Sequence, residues 1–409
     1  MTIEDGFLLT AAIVAAAWLF SPQIRKSHTW RATVTPLASI IGSGFLVSGP
    51  LLAVIVGKWA PIAMLAIGLL AFAIGGIIRF NIRHLEPLLD RPSELPRGVL
   101  TGERLSNISL SAAYAVSIAF YLRLLASFVL HGFNVHEEWI GDLLTTVILL
   151  FIGIAGYFRG LETLEKMEKF SVTVKLAIIA ALLLGLGIFD MSEFSDIMDR
   201  AVPTKDGDWF ARLRELAGLL LIVQGFETSR YLSAEYDTDT RINTMRQAQF
   251  VSGVIYVVFV LLAMPLLTHL ENTVPDETAI IELAKLISPV LPALLIVAAV
   301  MSQFSAAVAD TAGGGGLLEE ATKNKVSANS GYLIMTAIAI ALVWTADIFQ
   351  IISIASRAFA FYYLLQGVSA LLIARKAPNK ICRRADCLRF GALIAILAFV
   401  VIFGIGAEG

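Results

Sequence analysis

Twelve apolar runs, most of them close to the thickness of a bilayer core, follow one another down this chain and leave few folds open to it. They cover residues 5–20, 33–57, 59–80, 107–132, 140–158, 167–189, 213–232, 247–268, 285–309, 330–346, 348–374 and 388–406. A helix needs about 20 mostly apolar residues to cross the hydrocarbon. With no water there to bond the backbone, helices and closed barrels are the structures that cross it. A soluble surface carries about a quarter to a third charged residues, whereas only 16% of these 409 residues are charged and 57% are hydrophobic. Mean hydropathy is +0.78. The fold class is therefore an all-α polytopic membrane protein, expected to be multi-pass in the cell membrane.

Charge in the connections sets an orientation. Arg25, Lys26 and Arg31 follow the first run; Arg79, Arg83, Arg91, Arg97 and Arg104 follow the third; Arg159, Lys166 and Lys169 follow the fifth. Between these lie a charge-poor loop after residue 58, an acidic one with Glu137, Glu138 and Asp142, and the acid-rich stretch 190–208. The last connection is basic again, from Arg375 to Arg389. The positive-inside rule places the basic loops in the cytosol and both termini outside. Residues 5–20 follow Glu4 and Asp5, whereas a signal peptide begins basic, so this run reads as a peripheral helix. Cys382 and Cys387 read as unpaired thiols facing a reducing compartment.

Two of the runs are interrupted. Thr35–Pro50 carries Gly42-Ser43-Gly44 at its centre, with Pro36 and Pro50 near its ends, and Gln224-Gly225-Phe226-Glu227 interrupts the seventh run. Ala38 with Gly42, or Ser39 with Ser43, also has the small-xxx-small spacing of tight helix packing. Gly42 and Gly225 lie about 180 residues apart, as do the starts of other paired runs. Five helices fill that offset, and an odd number inverts the second copy relative to the first. Paired broken helices in inverted repeats mark a transporter binding site. The expected division is a peripheral helix and basic linker at 1–32, repeats at 33–189 and 213–374 joined by an external loop at 190–212, and a basic loop with a last helix at 375–409.

Ile41-Gly-Ser-Gly-Phe45, Gln224-Gly-Phe-Glu-Thr-Ser-Arg-Tyr-Leu-Ser-Ala-Glu235 with Arg241 and Ala248, and Phe170-Ser-Val-Thr-Val-Lys175 resemble motifs of the amino acid–polyamine–organocation superfamily. The family's usual proline after the loop arginine is absent at Arg241-Ile-Asn-Thr. The resemblance implies a LeuT-like 5+5 fold with broken first and sixth core helices. It also implies substrate contacts at Ser43, Gly44, Gly225 and Phe226. In similar permeases a lysine placed like Lys175 puts its ammonium where sodium-coupled relatives hold sodium, which favours proton coupling or exchange.

The residues carry their own chemistry. Unwinding at Gly42–Gly44 frees N–H groups at the positive end of a half-helix, which suits a carboxylate. Unwinding at Gln224–Gly225 frees carbonyls for an ammonium. The substrate-binding candidates are Ser39, Ile41, Gly42, Ser43, Gly44, Gln224, Gly225, Phe226, Glu227, Tyr121 and Arg123. Glu227 is costly at mid-membrane depth; it is an ion-pair member with Arg123 or Arg357, a proton-handling group, or a substrate contact. The ion-coupling candidates are Lys175, about 12 Å into its helix, and the hard oxygens of Ser302, Ser305 and Asp310, which could serve sodium. Small residues at 302, 305, 306 and 309 could equally be a packing face. An ammonium and a sodium ion should not share one site, so the two sets compete. Gly313–Gly316 reads as the stop of the helix that carries them.

The expected activity is secondary active transport of a small amino acid or amine by alternating access, proton-coupled or exchanging. The rivals are sodium symport through Ser302 and Ser305, transport of an inorganic ion or organic anion on Arg123 or Arg357, and a channel or scaffold. No ATP-binding loop, HExxH or CxxC motif occurs, so enzyme chemistry, a cofactor and any metal beyond that sodium are not expected. The expected partners are a small-molecule substrate and membrane lipid, not nucleic acid, with the chain a monomer or homodimer. Gly44→Leu is expected to abolish uptake and leave folding nearly intact.

Overall fold

The structure, a computed structural model, describes residues 3–135, 137–161, 168–193, 208–233, 235–269, 277–376 and 380–406. Thirteen helices organise these residues: α1 (Ile3–Leu19), α2 (His28–Ser43), α3 (Phe45–Val56), α4 (Ala60–His84), α5 (Val99–Gly132), α6 (Glu138–Arg159), α7 (Glu168–Glu193), α8 (Trp209–Ala217), α9 (Thr238–Leu267), α10 (Leu291–Ala321), α11 (Ala328–Val343), α12 (Ile348–Ala374) and α13 (Lys380–Phe403). Short helical turns at Leu220–Val223 and Phe226–Leu232 continue the line of α8, and no strand occurs among the described residues. The architecture is the LeuT-like one, with α2–α3 as the broken first core helix and α8 with its two turns as the broken sixth. Among the described residues, eight spans are long and apolar enough to cross a membrane, from Phe45–His84 to Arg384–Phe403, and Leu8–Ile24 and Ala328–Val343 are shorter apolar helices.

Helix starts follow the local chemistry. Asp208, Asp237, Ser327 and Asp347 cap α8, α9, α11 and α12 with their side-chain oxygens, and Gln350 closes a capping box on Asp347. Each bond satisfies one of the N–H groups that a helix start leaves without a partner. Several helices outrun their apolar stretches, α5 beginning at Val99 and α9 at Thr238. Glu103 on α5 and Arg241 on α9 lie in such extensions and are buried, which is how charged residues come to sit between helices at the arginine-rich end.

Packing sorts the core into two groups. In one, α9 lies against α2, α3, α4 and the Phe226–Leu232 turn; in the other, α5 and α10 form the most extensive pair, flanked by α6 and α11. α7 touches α2 and α9 on one side and α10 on the other, while α12 packs on α5 and α13. The peripheral α1 packs on α7.

Two expectations need correction. Gly313–Gly316 does not stop its helix, because α10 runs on to Ala321. The glycines serve close packing: the Gly314 carbonyl accepts the Ser111 hydroxyl at 2.9 Å, and a side chain at Gly315 would run into Tyr332 and the Ala328 carbonyl. The seventh run is also broken twice, at Gly218–Leu219 as well as Gln224–Gly225. In the expected loop 190–212, residues 194–207 lie outside the described residues, as do Lys166 and the side chains of Lys169 and Cys382.

Candidate functional site

Gly44 breaks the first core helix in the conformation φ −143°, ψ 10°, and α3 restarts at Phe45. Gly225 breaks the sixth at φ +113°, a region that residues with a side chain rarely enter. The two breaks touch. A Cβ on Gly44 would sit 2.8 Å from Ile222 Cγ1 and 3.0 Å from its Cα, and one on Gly225 would sit 2.7 Å from the Ser39 carbonyl carbon. The glycines therefore let two backbones of opposite repeats approach where no water is available to either. The Tyr256 hydroxyl on α9 reaches both chains, 3.0 Å from the Ile40 carbonyl and 2.8 Å from that of Ile222. Sequence reasoning missed Tyr256; a tyrosine buried in a membrane helix signals a need for a partner, but not which one.

The close contact corrects the expectation for Gly44. Because an added side chain meets the Ile222 backbone, Gly44→Leu is now expected to lower stability along with uptake. Gly225→Ala combines a positive φ with the clash on Ser39, and each effect costs on the order of 1–3 kcal/mol. The expected result is a thermal midpoint clearly below that of the parent chain for both variants in detergent. An unchanged midpoint for Gly225→Ala would show that the two breaks are not in contact.

Polar groups gather around the second break. Glu227 is fully buried, and its Oε2 accepts the Gly225 N–H at 2.9 Å and the Tyr363 hydroxyl at 2.6 Å. Phe226 stacks on Tyr363, with centroids 5.1 Å apart and planes 15° from parallel. Gln224 donates through Nε2 to the Tyr121 hydroxyl at 2.8 Å. Glu227 Oε1 and Gln224 Oε1 have no hydrogen-bond partner of ordinary geometry among the described residues, with the Tyr114 hydroxyl facing the Glu227 carboxyl. Buried acceptors are nearly always satisfied in folded proteins, so two orphans flanking one glycine mark a place for a donor.

Lys175 on α7 stands at the other side of the first break. Its Nζ donates to the Ala38 carbonyl at 2.9 Å and to Ser302 Oγ at 3.2 Å, and Ser302 Oγ lies 3.4 Å from the Gly42 carbonyl. Ile41, Gly42, Lys175, Ser302 and Gln303 line a cavity of about 30 Å³ there, room for a water or two. The two competing coupling sets thus share one place, and the ammonium is in it. Asp310 is elsewhere, with its carboxylate on the Ser117 hydroxyl of α5. Ser305 is half-buried on α10. The side chain of Ser43 lies outside the described residues.

The arginines expected beside Glu227 are not there. Arg123 bonds the Val343 and Ala346 carbonyls and pairs with Asp142 at 3.3 Å. Arg357 bonds the Val401 carbonyl at 2.8 Å. Arg123 lines a cavity of about 470 Å³ with Ser127, His131, Glu137, Asp142 and Glu277, at the end of the bundle away from the arginine-rich loops. At its edge, hydrogen bonds from Lys285, with His131 adding, hold the Glu282 carboxyl below its ordinary range.

The arginine-rich end is shut by an ionic cluster. Arg230, in the turn after the second break, donates to Glu103 Oε2 at 2.7 Å and pairs with Glu86 at 3.4 Å. Arg241 pairs with Glu86 at 2.7 Å and donates to the Arg230 carbonyl at 2.9 Å. Gln366 on α12 donates to Glu103 at 3.2 Å and to Ser106 at 2.8 Å. Arg230 and Glu103 belong to different packing groups, so their bond ties one group to the other.

A family model described as APC superfamily transporter matches residues 22–404. A protein of Aquifex aeolicus (strain VF5) described as uncharacterized is 47% identical over 410 residues, covering 100% of this chain and 98% of its own. A solved structure of a Na+-coupled sialic acid symporter, substrate-bound and outward-open, superposes with a TM-score of 0.57. It covers 98% of this chain and 97% of its own at 13% identity, a likeness of fold alone.

Proposed function

The chain belongs to the APC superfamily of transporters, and from that premise we propose that it moves a small amino acid or amine across the cell membrane by alternating access, coupled to protons or working by exchange. The observation that carries the reading is the pair of orphaned acceptors, Gln224 Oε1 and Glu227 Oε1, on either side of Gly225. An ammonium group supplies the donors they lack. The N–H groups that begin α3 after Gly44 lie at its positive end and suit a carboxylate, and the contact between the two breaks makes one site of both. A zwitterion satisfies both halves, and an amine the second.

Lys175 supports sodium-independent coupling. Its ammonium already fills the space between Ala38 O and Ser302 Oγ, and Asp310 serves Ser117 instead. The symporter of like fold is Na+-coupled, and in this chain a sodium ion at Ser302 would meet the Lys175 amine. The anion reading gains nothing from Arg123 or Arg357, each of which has protein partners already. With the basic loops in the cytosol, the ionic cluster closes the inner end and the larger cavity opens outward.

Thermal stabilisation of the purified chain by amino acids, amines and small anions, each in sodium and in choline buffer, tests this. A ligand at a hundredfold its Kd adds about 2.7 kcal/mol. An amino acid or amine is expected to stabilise equally in both buffers. A hit that requires sodium would move coupling to Ser302 and Ser305, and stabilisation by anions alone would retire the substrate class.

A further inference from the structure

The arginine-rich end has a third cavity, apart from the two helix breaks. Between α4, α9 and α13 a space of about 390 Å³ is lined by Arg79, Arg83, Arg246 and Arg389, with Asp386 the one carboxylate among its lining residues. Arg83 is engaged by Asp239 outside that lining. Among the described residues the other three have only neutral hydrogen-bond partners or none. Arg79, 8% exposed, donates to Gln249 and, at 3.0 Å, to the Phe72 carbonyl. Its guanidinium lies 4.7 Å from the Phe72 ring centroid. Arg389 reaches the Ala73 carbonyl at 3.4 Å and lies against Gly76, where any side chain would displace it. Arg246 is exposed and has no ion pair among the described residues.

Like charges gathered beside a low-dielectric wall repel strongly. Basic residues that only mark orientation can sit in water, yet Arg79 lies inside α4, five residues before its end, about 7.5 Å deep at helical rise. That depth matches the headgroup region rather than the aqueous loop. The wall above it is apolar, with Phe72, Phe80 and Phe390 in the same lining and Phe72 37% exposed. Guanidinium groups match the oxygens of phosphate in bidentate geometry, and basic pockets between helices on the cytosolic side bind anionic headgroups.

We propose that this cavity binds a phosphate group, presented by an anionic phospholipid of the leaflet that the basic loops face. The guanidinium groups of Arg79, Arg246 and Arg389, none of them in an ion pair among the described residues, hold the phosphate, and the phenylalanine wall takes the start of the acyl chains. Occupancy links α13 to α4 and α9, which no direct side-chain ion pair among the described residues does.

The test uses the full chain in neutral detergent, titrated with phosphatidylglycerol, phosphatidylcholine or inorganic phosphate, with the thermal midpoint as readout. Phosphatidylglycerol is expected to raise the midpoint at least twice as far as phosphatidylcholine. Arg246→Gln with Arg389→Gln, both at exposed positions, should remove more than half of that difference, and Arg246→Gln alone a smaller part of it. If inorganic phosphate alone gives the full arginine-dependent rise, the phosphate site stands and its source is solution rather than lipid. Equal effects of the two lipids, or a phosphatidylglycerol increment that survives in both variants, would overturn the proposal.

Discussion

Lys175→Ala is expected to reduce uptake into proteoliposomes by about a hundredfold, the size of loss that follows removal of a proton-transferring group. Lys175 is 4% exposed, and its ammonium joins three elements: α7, which carries it, the carbonyl of Ala38 before the first break, and Ser302 on α10. Losing it leaves a buried carbonyl without this donor, at a cost of about 1–3 kcal/mol, and enlarges the small cavity beside Gly42. Lys175→Gln separates the two roles, since its amide keeps a donor but cannot exchange a proton near neutral pH. If the lysine handles the proton, Lys175→Gln folds like the parent and transports like Lys175→Ala. Should Lys175→Gln transport normally, the lysine acts by packing and the proton reading falls. A gain of sodium-dependent uptake in Lys175→Ala would show instead that its ammonium stands where a sodium ion can bind.

Arg230→Ala is expected to have the largest effect on stability. Arg230 is 7% exposed, and its removal leaves the Glu103 carboxylate in a buried site with Gln366 as its one hydrogen-bond partner among the described residues. Breaking one side of a buried pair costs about 3–5 kcal/mol, because the remaining charge has lost its partner. Glu86 suffers less, since Arg241 still holds it at 2.7 Å. The bond joins the two packing groups only while the basic end is shut, so the penalty falls on the closed state. At about 1.4 kcal/mol per factor of ten, the open state gains roughly two to four orders of magnitude relative to it. Amide exchange across Phe226–Leu232 should accelerate accordingly. Replacing Glu103 as well, by Gln, should recover part of the lost midpoint; full additivity of the two changes would show that they do not interact.

Much of this was legible in the sequence, for physical reasons that also mark where legibility stops. Glycines in an apolar run announce a broken membrane helix, because nothing else there tolerates an unwound backbone, and both breaks occur where Gly44 and Gly225 place them. The depth of Lys175 along its helix was readable; its 3.2 Å approach to Ser302 was not, since rotation about a helix axis is set by neighbours. Glu227 was rightly seen to need partners, but they are Tyr363 and the Gly225 N–H rather than Arg123 or Arg357. The ion pair of Arg230 and Glu103 went unread: Glu103 lies before the apolar run that starts near 107 and Arg230 sits inside the seventh run, and only the extension of α5 to Val99 makes them neighbours. Gly313–Gly316 misled for the opposite reason: in a bilayer, glycine serves helix contact as readily as it ends a helix.

The Tyr256 hydroxyl has one hydrogen and two carbonyls within reach, one from each half of the molecule. If the breaks drifted apart, one carbonyl would be stranded in a region without water, so α9 acts as a pin through both. The two half-sites are then a single part riding on one side of the molecule. A substrate held between them would not be handed from one repeat to the other; it would be carried as a passenger while the opposing helices slide past.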